Sequence, residues 1–68
     1  MRYKNVAEAW GDAVEVTAAD YMEQARVFWA SATPEDREAD PNLDPAVIRI
    51  EEYADGIYVN GDLVAEPI

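Results

Sequence analysis

The stretch Thr17-Ala18-Ala19-Asp20-Tyr21-Met22-Glu23-Gln24-Ala25-Arg26-Val27-Phe28-Trp29-Ala30-Ser31-Ala32 decides the fold. Apolar residues recur at Ala18, Tyr21, Met22, Ala25, Phe28, Trp29 and Ala32, the i, i+3, i+4, i+7 spacing of one helical face. Asp20, Glu23, Gln24 and Arg26 occupy the opposite face. Thr17 stands where an N-cap belongs, and Asp20 follows at the capping-box distance. Most of the remaining residues are good helix formers. The spacing predicts a helix over about 18–31 with one face to bury.

The surface that covers it lies towards the C-terminus. Val47-Ile48-Arg49-Ile50-Glu51-Glu52-Tyr53 reads as a strand, Ile57-Tyr58-Val59 as a second and Asp62-Leu63-Val64-Ala65 as a third. Asp55-Gly56 and Asn60-Gly61 are the hairpin signals between them. Two-residue loops at both turns set Ala54 opposite Ile57 and Val59 opposite Asp62. One face then carries Ile48, Ile50, Glu52, Ala54, Ile57, Val59 and Val64, and the other Arg49, Glu51, Tyr53, Tyr58 and Leu63. The first is the face for the helix, with Glu52 its misfit; the alternative register has a bulge near Glu51-Glu52 that would turn Tyr53 inward and remove the misfit, and the sequence leaves both open.

Ahead of the helix, Ala13-Val14-Glu15-Val16 is a short strand that joins the sheet. Before it, Asn5 with Glu8 makes a second capping box, and Gly11 stops a one- or two-turn helix over residues 5–10; a hairpin turning at Gly11-Asp12 is the competing reading. Behind the helix, Thr33-Pro34-Glu35-Asp36 opens another short helix that Asp40-Pro41 ends. Residues 40–45 form a rigid connector. With no repeat, linker or low-complexity tract, residues 1–68 are one α+β domain: one main amphipathic helix (about 18–31) packed on a small antiparallel sheet with a C-terminal β-meander (about 47–53, 57–59, 62–65).

A domain of 68 residues buries only about 60% of the surface its unfolded chain exposes. With neither cysteine nor histidine, no disulfide or thiolate metal site stabilises it. That leaves tight packing or self-association. No apolar run approaches a membrane span, and no apolar segment follows Arg2 and Lys4. The expectation is a cytoplasmic protein.

Fifteen Asp and Glu face five Lys and Arg, for a net charge of −10. This exceeds the roughly 2–8 that suffices to keep a small domain in solution. The half of the chain that is hydrophobic argues against acidic disorder. Such a field repels nucleic acid and anionic membranes and attracts basic proteins. The acids concentrate at Glu35, Asp36, Glu38, Asp40 and Asp44, with Arg37 alone among them, and Asp20 and Glu23 add to the field from the exposed helix face. A carboxylate array of this kind can occupy a cleft built for phosphates. The plainer reading is a solvated face.

Little else carries chemistry. Asp40, Asn42, Asp44 and Glu51 have calcium-loop spacing, and Val47 suits its apolar position. Pro45 sits where that loop needs glycine, and a strand follows where it needs a helix, so no metal and no cofactor is expected. Ser31 is the one serine and has no histidine to activate it, and no glycine-rich phosphate loop exists. The chain reads as a non-enzyme. Tyr53, Tyr58 and Leu63 share the outer sheet face and make a candidate homodimer interface.

In size, acidity, lack of catalytic residues and Ala- and acid-rich composition, the whole chain resembles small inhibitors encoded by phages and mobile elements, with anti-CRISPR proteins and other DNA mimics the nearest class. The resemblance is one of overall character and carries over no residue. It implies a target: a host nuclease complex whose nucleic-acid groove is blocked. Two other readings stand beside it, a small homo-oligomeric phage or plasmid accessory module and an antitoxin-like neutraliser of a basic protein.

Overall fold

Thr17 adopts an extended backbone and caps the long helix: its Oγ1 accepts from the Asp20 N–H at 3.3 Å, and Asp20 Oδ2 accepts from the Thr17 N–H at 2.7 Å. This reciprocal cap starts α1 (Ala18–Ser31) where the sequence predicts it. The computed structural model describes residues 1–7 and 14–68. Within them, β1 (Tyr3–Asn5) and β2 (Glu15–Val16) precede α1. A second capped helix, α2 (Pro34–Ala39), and a 3-10 turn (Pro41–Leu43) follow it. Then come β3 (Ile50–Tyr53), β4 (Gly56–Val59) and β5 (Asp62–Pro67). The strands form one antiparallel sheet in the order β2-β1-β5-β4-β3. The expected α+β architecture, a main helix with a C-terminal meander, is the observed one.

The N-terminus departs from expectation. Asn5 ends β1, opposite Ala65 of β5, and is fully buried. Pairing on both sides fixes Tyr3-Lys4-Asn5 as a strand: Tyr3 faces Val16 on one flank and Pro67 on the other. Val6 and Ala7 of the proposed short helix are not helical, and residues 8–10, with Gly11 and the competing turn at Gly11-Asp12, lie outside the described residues. Partnership with β1 also carries β5 past Ala65 to Pro67, and the Ile68 N–H closes on the Arg2 carbonyl at 3.0 Å.

The meander keeps its two faces but changes its register. Tyr53, not Ala54, stands beside the first turn and faces Gly56, so Ala54-Asp55 forms the loop and Glu52 pairs with Ile57. Gly56 serves a different purpose from the expected turn. Its φ is +152°, and a Cβ there would lie 2.2 Å from the Ala65 carbonyl oxygen and 2.6 Å from a Leu63 methyl. Glycine lets β4 and β5 approach. Because the partner changes by two residues, no side chain changes face. The second turn, Asn60-Gly61, is as expected, with Val59 opposite Asp62.

The bulge falls in β5 rather than at Glu51-Glu52. Tyr58 pairs with Leu63 but Ile57 pairs with Ala65, leaving Val64 as the extra residue. Ala65 therefore takes the place opposite Ile57 that the sequence assigns to Val64. Tyr53 stays outward and half exposed, and Glu52 reaches solvent from the edge strand β3. Strand β3 begins only at Ile50. The Asp44 carbonyl accepts from the Val47 and Ile48 N–H groups, and Asp44 Oδ1 accepts from Ala46 N–H, holding residues 44–48 in turns.

The core on the inner sheet face is small: Tyr3, Val16, Ile57 and Ala65, with Tyr21, Ile50 and Val64 packed against it. One polar node ties the layers together. The Tyr21 hydroxyl of α1 lies 2.6 Å from Asn5 Oδ1 and 3.0 Å from the Val64 carbonyl, which also accepts the Val6 N–H at 2.9 Å. Burial pushes the Tyr21 phenol above its ordinary pKa, with Asp20 adding to the effect.

Two outcomes follow from these contacts. Gly56→Ala costs about 3 kcal/mol or more, because strain and collision coincide, whereas Gly61→Ala, at φ +87° but in open space, costs about 1 kcal/mol; urea denaturation measures both. Tyr21→Phe costs about 1–2 kcal/mol by stripping buried acceptors of a donor. The raised Tyr21 pKa favours the fold fully below the ordinary tyrosine value and is lost as pH rises through the folded-state value. The variant's alkaline unfolding curve lacks that component.

Candidate partner-binding surface

Thr33 repeats the cap of Thr17 one helix later. Its Oγ1 accepts from Asp36 N–H at 3.1 Å and Asp36 Oδ2 accepts from Thr33 N–H at 3.3 Å, with Pro34 in the first turn. The result is a two-turn helix whose residues are all exposed. Arg37, the one base in this segment, does not neutralise its neighbours. It folds back to the end of α1, where its Nη2 and Nε donate to the Trp29 carbonyl at 2.7 and 3.2 Å, and its guanidinium lies 5.2 Å from the Trp29 ring centroid. A cation at a helix C-terminus meets the negative end of the dipole, and stacking on the indole adds to it.

The acids singled out from the sequence divide into two groups. Asp20 and Asp36 are occupied by capping, Asp44 by its turn, and Glu23 by an ion pair with Arg26 at 3.3 Å. Glu35, Glu38 and Asp40 have no side-chain hydrogen bond or ion pair among the described residues, and all three are exposed. Arg2, the only other base in an ion pair among the described residues, is bound to Glu15 at 2.6 Å on the sheet and lowers the Glu15 pKa, chiefly through that hydrogen bond. Of the acids singled out from the sequence, those left without such a partner thus lie on α2 and its C-cap; Glu52, Asp62 and Glu66 of the sheet are likewise unpaired among the described residues.

The calcium-like spacing produces no comparable convergence. Among the described residues, no three acidic side chains are grouped to hold a metal ion. Instead the Asn42 carbonyl accepts from Asn60 Nδ2 at 3.0 Å, fastening the connector to the β4–β5 turn. Ser31 is used locally, its hydroxyl lying over the Val27 and Phe28 carbonyls.

An apolar cleft of about 230 Å³ opens between α1 and the connector. Tyr21, Gln24, Ala25 and Phe28 form its helical wall, and Leu43, Ile48 and Val59 close the other side. The sequence places Phe28 and Trp29 in the core, yet both remain partly exposed: Phe28 lines the cleft and Trp29 carries the Arg37 guanidinium. The sequence signal for this cleft was Leu43, the only large apolar residue inside a connector of Asp, Asn and Pro.

The outer sheet face brings Tyr53, Tyr58 and Leu63 together as the sequence arranges them. The two rings meet edge to face with centroids 5.4 Å apart, and Leu63 stands opposite Tyr58. Their hydroxyls donate to Glu51 and Asp55 at 2.7 Å each, and these bonds raise both phenol pKa values. The patch is modest, with Tyr53 50% and Leu63 41% exposed.

No helix among the described residues is long and apolar enough to cross a membrane. Comparison with protein-family models, curated proteins and solved structures finds no match.

Arg37→Ala removes the α1 clamp and is expected to lower stability by about 1 kcal/mol. Arg37→Lys recovers only part of it, since an ammonium lacks the planar fork that holds carbonyl and ring together. Denaturant titration of the three proteins checks the order.

Proposed function

We propose that this protein is a non-enzymatic acidic inhibitor that binds a basic, nucleic-acid-binding surface of another protein. One observation carries the reading. The only base within the acidic segment is folded onto Trp29, so Glu35, Glu38 and Asp40 face solvent with no cation of their own. A partner's Arg and Lys side chains supply the missing charge. A net charge of −10 steers such an encounter and makes it salt-sensitive. The resemblance in overall character to anti-CRISPR and DNA-mimic inhibitors makes a CRISPR effector or another host nuclease complex the proposed target, and the host cytoplasm the proposed place of action. Neutralisation of a basic toxin has the same charge dependence and differs only in the partner.

A second reading draws on the Tyr53–Tyr58 contact: a homo-oligomer assembled through the outer sheet face, with the charge serving solubility.

The structure refines the variant that tests the first reading. Asp36 holds the α2 cap, so its reversal confuses binding with folding. Reversal of Glu35, Glu38 and Asp40 together to lysine leaves both caps intact. Against purified CRISPR effector complexes, the wild type is expected to displace labelled target DNA in an anisotropy assay, and the triple variant to do so at least ~10-fold more weakly. Equal displacement by a variant with unchanged circular dichroism removes the acidic site. Light scattering of Tyr58→Glu addresses the other reading: loss of an oligomer together with loss of displacement favours assembly through the sheet.

A further inference from the structure

Building on the acidic surface above, we propose that the cleft between α1 and the connector receives one aromatic or large aliphatic side chain of the partner, presented between basic residues. The size fits. An apolar cavity of about 150 Å³ is enough to take up benzene, and this one offers about 230 Å³. Its walls are apolar apart from the Tyr21 phenol, whose hydroxyl is engaged at the buried node, and Gln24, which is exposed.

The acids that neighbour the lining residues in the chain select the occupant. Asp20 lies one turn before Gln24 on the helical wall, and Glu23 is its neighbour. Beside the facing wall, Asp44 follows Leu43 directly, and Asp40 immediately precedes the same 3-10 turn. No lysine or arginine lines the cleft, and Arg26 is tied to Glu23. An uncharged apolar molecule gains nothing from these acids. At this cleft a second copy of this chain brings another −10 against acids that already flank it, which disfavours it as the occupant here. An apolar side chain flanked by Arg or Lys satisfies wall and acids at once, so charge guides approach and burial fixes position.

Two synthetic peptides, Lys-Arg-Phe-Arg-Lys and Lys-Arg-Ala-Arg-Lys, test this against the intact protein. The phenylalanine peptide is expected to bind about tenfold tighter or more, from burial of the ring. It is also expected to shift the methyl NMR signals of Ile48 and Val59. Ala25→Leu, which fills the cleft, and Leu43→Ala, which strips one wall, are each expected to erase the difference. If Ala25→Leu does not fold, the half-exposed Leu43 position carries the test. Equal affinities for the two peptides, or no shift at Ile48 and Val59, overturn the cleft and leave the acidic surface standing. Binding of neither peptide overturns both. Ile48 and Val59 shifts that track protein concentration without peptide assign the cleft to a second copy and overturn the proposal.

Discussion

The Val64 carbonyl is the point on which the fold closes. It belongs to the extra residue of the β5 bulge, and it accepts the Val6 N–H from the N-terminal segment and lies within hydrogen-bonding distance of the Tyr21 hydroxyl of the helix. Asn5 completes the node from β1 with its side-chain oxygen. Three segments distant in sequence are thereby fixed relative to one another by polar contacts in a domain whose apolar core is very small. Buried hydrogen bonds have strict geometry, so they specify one arrangement where a few apolar side chains would tolerate several. Tyr21 belongs to both features: its hydroxyl sits in this node, and its ring lines the cleft between α1 and the connector.

Charge and apolar packing divide the molecule between them. The sheet side holds Arg2, Lys4 and Arg49 beside its carboxylates, so its field is mixed. The α2 side has only Arg37, and that residue folds back along the surface onto the end of α1. A single side chain therefore does two things: it stabilises the longer helix, and by leaving the shorter one it sharpens the negative field there. The acidic segment and the cleft meet at the connector, where Leu43 faces inward between acids.

What the sequence disclosed was whatever local rules decide. Both helix starts follow from Thr-x-x-Asp spacing, and the helical face follows from periodicity. The faces of the meander survived a wrong first turn, because a change of two residues preserves side-chain direction. Non-local contacts were not disclosed. Tyr3-Lys4-Asn5 is too short to alternate visibly and becomes a strand only because β2 and β5 lie on both sides of it. Gly56 signals a turn, but its use is close approach to Ala65, a residue on another strand. For the acidic surface, the sequence located the dense acids, yet composition does not distinguish a carboxylate that caps a helix from one that faces water. Asp36 and Glu35 are neighbours with different fates.

The sheet joins its earliest strand to its latest, with Tyr3 opposite Pro67. During synthesis β1 emerges long before β5 exists, and translation adds only about 5–20 residues per second. Strand β1 must therefore wait for the last segment before it gains its second partner, and the Val64 carbonyl that anchors helix to sheet arrives equally late. The β1–β5 pairing, and with it the anchoring of helix to sheet, can close only once both strands have been made. During that interval the mutual repulsion of so many carboxylates keeps nascent copies apart, a service to folding that precedes any service to binding.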